Sequence, residues 1–275
     1  MRRLAVLLLL LVLLLLPPLP PRPPRIPRVI YQTHSAPLEA LGPRFRAQID
    51  EMRARNPTFE YRYLDERQRE AFIERRYGQA VLAAYRSINP EYGPARADLL
   101  RYLLLYAEGG VYLDVKSSTA VPLESVLSDD DEYLLSNWCE GACGRANWDW
   151  LLGTGFGEYQ QWWIACRPGH PFLLAVIRRC LANIAAYEHD PRDEATFGKQ
   201  GVLRLTGPIA YTQAIFPIAA RHAHRFEPSA FGGAFVYSFG TAAGMEHAMD
   251  PRHYSRLTTP IVLRATGAGP AAGVG

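Results

Sequence analysis

The stretch Ala95-Arg-Ala-Asp-Leu-Leu-Arg-Tyr-Leu-Leu-Leu-Tyr-Ala-Glu-Gly-Gly-Val-Tyr-Leu-Asp-Val-Lys116 decides the fold of this 275-residue chain. A helix stops at two glycines and the chain returns as a strand that ends in charge. Pro94 suits the first turn of a helix, Asp98 adds negative charge near its positive end, and Gly109-Gly110 supplies the C-terminal stop. Beyond the glycines, Val111-Tyr-Leu-Asp-Val115 is β-branched and aromatic, and a tight turn sends it back alongside the helix. Measured from Gly109, the helix back to Arg101 covers about 12 Å and to Asp98 about 16 Å, while the strand out to Asp114 covers roughly 16 Å. Asp98, Arg101 and Asp114 therefore reach one level. Asp98 and Arg101 share a helix face, and Lys116 has the strand parity of Asp114. Two readings are open: an electrostatic binding site, or an ordinary i,i+3 surface pair beside an acidic strand end.

Around this unit the chain alternates strand and helix. Leu38 to Arg55 carries helical spacing at Leu41, Phe45, Ile49 and Met52 and stops before Asn56-Pro57; Tyr61 to Leu64 reads as a strand. Asp65-Glu-Arg-Gln opens a polar helix carrying Phe72, Ile73 and Tyr77, and Ala80 to Tyr85 continues the helical pattern. The order βαβα predicts an α/β fold with a mostly parallel sheet, whose ligands sit beyond the carboxyl ends of the strands. Asp129-Asp-Asp-Glu132 reads as a solvated acidic turn without a metal. The segment from Asn137 to Trp150 is rich in glycine and indole and continues to Trp162 and Trp163; it reads either as a sugar-stacking acceptor surface or as a loop packed on its own rings. Pro171 to Tyr187 is an amphipathic helix with no evident chemistry.

Arg96-Ala-Asp-Leu-Leu-Arg-Tyr, the later Leu-Tyr pair and Gly109-Gly-Val-Tyr-Leu-Asp114 together resemble the signature of glycosyltransferase family 32, the sugar-binding region containing a DxD motif, which takes in mannosyltransferases and capsular-polysaccharide transferases. Ile26-Pro-Arg-Val-Ile-Tyr-Gln-Thr-His34 resembles the family's first strand, with His34 where tryptophan is usual. Asn56-Pro-Thr-Phe-Glu-Tyr61, Pro168-Gly-His-Pro171 and Thr206-Gly-Pro208 resemble its second-strand region, a later turn and a downstream loop. The likeness covers residues 26 to about 260.

It implies a GT-A type nucleotide-sugar transferase fold, a mostly parallel central sheet flanked by helices, acting on a nucleotide-sugar donor and a glycan, glycolipid or glycoprotein acceptor with retention of configuration. Asp98 and Arg101 would bind donor sugar hydroxyls and phosphate, Gln32 and Thr33 would lie by the nucleoside, and Gly110 would form the donor-side turn. A late histidine, His247 or else His253, would face the phosphates, His247 being the assignment made. The family holds Mn or Mg through Asp-x-Asp, because alternate strand-end carboxylates point one way and these cations take hard oxygen ligands. This chain has Asp114-Val115-Lys116. An ammonium cannot ligate a metal and repels one nearby. Three accounts stand: a metal on Asp114 with distant ligands, a lysine in place of the metal's charge, or an inactive site. The competing reading is therefore a membrane-tethered glycan-binding or scaffold protein on the same fold. A hydrolase with paired carboxylates has no second acid placed opposite Asp114 by spacing.

With 48% hydrophobic residues the chain suits one large domain, predicted over residues 26–265, before a flexible tail at 266–275. The net charge of +3 is mild and scattered, which argues against a nucleic-acid partner. Of 30 basic residues only Lys116 and Lys199 are lysines. Residues 1–16 hold an apolar run from Leu4 to Leu16, about 20 Å of helix against a hydrocarbon core of about 30 Å, and residues 17–25 form a proline-dense stem. No Ala-x-Ala cleavage site follows. A signal anchor, rather than a cleaved signal peptide, and a membrane-associated, secretory or Golgi location are expected. The four cysteines, Cys139, Cys143, Cys166 and Cys180, fit an oxidising lumen without fixing any pairing.

Overall fold

The computed structural model describes residues 25–138, 151, 157–237 and 253–264. The N-terminal apolar run and stem, Cys139, Cys143, Trp148, Trp150, His247 and the tail lie outside these residues. Among the described residues no helix is long and apolar enough to cross a membrane.

The chain enters through β1 (Val29–Thr33), passes a helix α1 (Pro43–Arg55) and returns as β2 (Glu60–Leu64), parallel to β1 in full register from Val29 opposite Glu60 to Thr33 opposite Leu64. The next helix, α2 (Glu66–Ser87), begins with a capping box, Asp65 accepting from the Gln68 amide while Gln68 accepts from the Asp65 amide. Gly78, at φ 77°, breaks it midway, which is why the sequence reads as two helical runs. Then come α3 (Gly93–Glu108) and β3 (Gly110–Leu113), parallel to β1. The reversal between them needs both glycines. Gly109 sits at φ 64°, and a Cβ there would lie 2.6 Å from the Pro168 ring; Gly110 sits at φ 103°, where a Cβ would lie 2.9 Å from the Val29 carbonyl oxygen.

After a two-residue strand β4 (Ser118–Thr119), β5 (Tyr133–Leu135), β6 (Trp163–Cys166) and β7 (Arg225–Phe226) complete the main sheet, while β4 pairs separately with β8 (Phe235–Val236). The order is β2-β1-β3-β6-β5-β7. β6 is antiparallel to both neighbours and the other five strands share one direction, so the sheet is mostly parallel, as expected. Alternation along the strands makes two cores. Tyr31, Tyr112, Ile164, Cys166, Tyr133 and Leu135 pack under α2, α3 and two later helices, α4 (Pro171–Ala186) and α6 (Pro208–Ile215). Ile30, Val111, Leu113, Leu134, Trp163 and Ala165 face the other way, onto Met52, Phe59, Phe231 and Phe235. A short helix, α5 (Gly198–Leu205), closes the α3 side.

Two local expectations change. The predicted strand to Val115 ends at Leu113: Ser117 donates back to the Asp114 carbonyl at 2.7 Å, so Asp114 to Ser117 is a tight turn and strand parity no longer relates Lys116 to Asp114. The acidic run is not simply solvated. Asp131 is buried, accepts from the Ser128 amide and pairs with Arg225 at 2.7 Å, while Glu132 pairs with Arg167 at 2.8 Å. Cys166 and Cys180 are buried free thiols.

Candidate active site

Charge gathers where β1 and β3 end. Asp114 shares the parity of Tyr112 and so emerges on the α3 face, and its amide donates to the Trp162 carbonyl at 2.8 Å, tying the strand end to the residue before β6. α3 runs antiparallel to β3, which brings its second turn to the same level. Arg101 Nη2 lies 3.1 Å from Asp98 Oδ1 and 2.8 Å from Asp114 Oδ1, so one guanidinium bridges both carboxylates. The three predicted residues thus meet in space.

Two members of the cluster, Asp98 and Arg101, are dry and bonded on all sides. Arg101 and Asp98 are 2% and 3% exposed. Arg101 Nη1 donates to the carbonyl of Gln161 at 2.7 Å and to its side-chain oxygen, and the guanidinium stacks 4.6 Å from the Tyr112 ring centre. Asp98 also accepts from Gln161 Nε2 at 3.2 Å and from Thr206 Oγ1 at 3.0 Å. Tyr112 donates to Asp114 Oδ1 at 3.1 Å. Burial pushes Asp98 up to about 6 despite the pull of Arg101. Burial also opposes the Arg101 charge, but Asp114, then Tyr112 and Asp98, outweigh it and hold the guanidinium more firmly protonated than usual. Asp114, one-third exposed, is the member open to solvent.

These residues wall a cavity of about 360 Å³. Its other lining includes Trp138, Trp162, Tyr237, Tyr254, Gly207-Pro208 and Lys199. Tyr237 stands edge-on to Trp138 with ring centres 5.1 Å apart and tilted against Trp162 at 5.0 Å; Trp163 is instead core, stacked on Phe235 at 3.9 Å.

The remaining predicted residues divide. Gln32 is buried beneath the site, donating to the carbonyls of Asp114 at 3.1 Å and Ser117 at 3.3 Å and accepting from Tyr61 at 3.1 Å, so it braces the turn. Thr33 donates to the Leu64 carbonyl at 2.6 Å and is likewise buried. Gly110 begins β3, at the end of the strand away from Asp114, and its place is set by Val29 and Tyr31. His253 caps a short 3-10 turn and bonds Ser255; its neighbour Tyr254 lines the cavity. Gln161, Thr206, Tyr112 and Tyr254 escaped sequence reasoning. Thr206, in Thr206-Gly-Pro208, and Tyr112, in Gly109-Gly-Val-Tyr-Leu-Asp114, lay inside motifs that resemble the family's; Gln161 and Tyr254 carried no signal.

The donor set does not suit a divalent cation. Asp114 Oδ1 is engaged by Arg101 and Tyr112, both oxygens of Asp98 are bonded, and the residue two beyond Asp114 is Lys116. Among the described residues no group of three or more His, Cys, Asp or Glu is placed to hold a metal ion. Lys116 is half-buried in the turn, and desolvation lowers it to about 8 against the pull of Asp114.

Residues 42–132 match the family model described as glycosyltransferase sugar-binding region containing DXD motif. The chain is 29% identical over 176 residues to the initiation-specific alpha-1,6-mannosyltransferase of Candida albicans, covering 59% of this chain and 44% of that protein. To the enzyme of the same name from Schizosaccharomyces pombe it is 27% identical over 173 residues, covering 59% and 42%. The chain thus spans less than half the length of these relatives. Among solved structures it is similar to the PaToxG glycosyltransferase, with 16% identity over 78% of each chain and a TM-score of 0.49. It is also similar to the UDP-bound glycosyltransferase domain of the YGT toxin, with 10% identity over 80% and 82% and a TM-score of 0.46.

Proposed function

We propose that this chain, whose residues 42–132 match the glycosyltransferase sugar-binding region containing a DXD motif, transfers a sugar from a nucleotide-sugar donor to a hydroxyl of a glycan, glycolipid or glycoprotein acceptor. The observation that carries this is the meeting of Asp98, Arg101 and Asp114 on the wall of a cavity at the carboxyl ends of β1 and β3. Sugar hydroxyls donate to carboxylates, and a site that presents ionised acceptors from a dry, bonded frame distinguishes one hydroxyl pattern from another. The glycosidic bond breaks with its electrons on the departing diphosphate, the acceptor oxygen bonds to the anomeric carbon on the face just vacated, and the acceptor proton passes to a phosphate oxygen. Configuration is retained. Secretory, membrane-associated placement belongs to the same reading and is supported by the apolar run Leu4 to Leu16.

Incubation with a panel of nucleoside-diphosphate sugars tests the assignment: one of them is expected to be hydrolysed or transferred. Binding of a glycan with no turnover of any donor would favour the scaffold reading instead.

Two further outcomes follow from the geometry. Asp98 must be ionised to accept from a sugar hydroxyl, and its raised pKa means that it gains a proton as the pH falls through about 6. Donor kcat/KM should therefore decline below about pH 6 along a single-proton slope, as a pH series would show; a flat profile down to pH 4.5 would remove Asp98 from that role. Tyr237, with Trp138 and Trp162, offers rings on which an acceptor sugar can stack. Tyr237→Ala is expected to raise the acceptor KM about three- to tenfold while leaving the donor KM unchanged, since an aromatic contact is worth roughly 0.5 to 1.5 kcal/mol.

A further inference from the structure

An Asp-x-Asp strand end brings two carboxylates that a divalent cation offsets. Here two cations accompany the two carboxylates: Arg101 bridges Asp98 and Asp114, and Lys116 lies two residues beyond Asp114. We propose that Lys116 stands in place of the metal ion, its ammonium holding the donor's diphosphate, so that nucleotide binding and transfer by this chain need no divalent cation. The proposal rests on the glycosyltransferase reading and deepens it.

Four observations support it. The turn from Asp114 to Ser117 is braced from β1 by Gln32, which donates to both of its end carbonyls and is itself fixed by Tyr61, so Lys116 is held beyond the ends of β1 and β3. From there its charge acts on Asp114 on one side and on His34, just past β1, on the other. Lys116 is not itself one of the cavity's lining residues, but Asp114, two residues before it, is, and His34 follows the strand end assigned by resemblance to the nucleoside. Second, Lys116 is half-buried yet makes no hydrogen bond or ion pair with any described residue. An ammonium partly withdrawn from water with only the through-space pull of Asp114 is under-compensated, and a bound diphosphate reduces that cost.

Third, the neighbouring arginines are spent. Arg101 serves Asp98, Asp114 and Gln161, and Arg69 bonds Thr33 and Glu66. Lys199, the chain's other lysine, is exposed on α5 across the cavity. Fourth, one of the two Asp114 oxygens a metal could use is taken: Oδ1 accepts from Arg101 and Tyr112. In the transfer step the ammonium donates hydrogen bonds to the diphosphate as negative charge grows on it and gives up no proton.

Titration calorimetry with UDP and with GDP, in excess EDTA and in excess Mn, tests the proposal on the full chain. Wild type should bind one of them with affinities that agree within about twofold in the two buffers. Lys116→Met should lose tenfold or more in both, and Lys116→Arg should recover most of that loss. Lys116→Asp should bind poorly in EDTA and regain affinity with Mn, and Mn electron paramagnetic resonance should show an immobilised ion in that variant with diphosphate present but not in wild type. Wild-type affinity abolished by EDTA, or a Lys116→Met affinity equal to wild type, would overturn the lysine while leaving the transferase intact. If neither diphosphate binds in either buffer, the transferase reading falls and this proposal falls with it.

Discussion

Arg101→Ala is expected to destabilise the protein by about 3 to 5 kcal/mol, because it leaves two carboxylates, one of them fully buried, facing each other with no cation between them. That is more than the roughly 1.5 to 3 kcal/mol at stake in a lost phosphate contact. The guanidinium's bonds to Asp98, Asp114 and Gln161 leave it little capacity for a ligand, so its work is to fix the carboxylates that meet the donor. In a chain of this size the loss should lower the melting temperature by roughly 6 to 20 °C, as calorimetry or circular dichroism would record. Arg101→Lys keeps charge but loses the planar fork, and should recover only part. A melt within a degree or two of wild type, together with lost nucleotide binding, would show instead that Arg101 acts on the phosphate directly.

Asp98→Asn is expected to separate stability from activity. Burial raises the folded-state pKa of Asp98 to about 6, above the ordinary value of about 3.9, so the folded state takes up this proton more readily than the unfolded chain. The ionised form at pH 7 therefore subtracts from stability, and that cost shrinks as the pH falls below about 6 and is gone below about 4. Asparagine keeps the shape and can still accept at its oxygen, which makes the exchange close to neutral for folding at pH 7. It forfeits charge-assisted acceptance of sugar hydroxyls. One such contact, on the remaining lone pair of Oδ2, at roughly 1.5 to 3 kcal/mol places the loss in donor kcat/KM at about 10- to 10²-fold. Parallel melting curves and steady-state assays give the comparison; retained turnover in a folded Asp98→Asn protein would assign sugar recognition elsewhere.

The main fold elements were legible because their signals are local. Helical spacing, the Asp65 capping box and the paired glycines act within a few residues. The meeting of Asp98, Arg101 and Asp114 was also legible, since helix and strand rise fix the level that each residue reaches after a tight reversal. Lys116 marks where this stops: periodicity carried the strand two residues too far, because the turn that ends it is held by Gln32 on another strand. The Asp129 to Glu132 run failed in the same way. Its solvation is decided by Arg225 and Arg167, which no spacing places beside it.

The sequence by itself determined the helix-turn-strand unit and the identity of its ionic residues, lysine two positions after Asp114 among them. Only the tertiary structure decided their roles. Gln161 and Thr206 come from distant segments to satisfy Asp98, Gln32 becomes a brace under the turn, and Arg101 becomes a bridge held out of water. Hydrogen bonding and burial depend on which segments meet across the sheet edge. That meeting is set by the packing of α3, α5 and α6 over the strand ends, so the chemistry of each polar side chain follows from long-range contacts that no local pattern encodes.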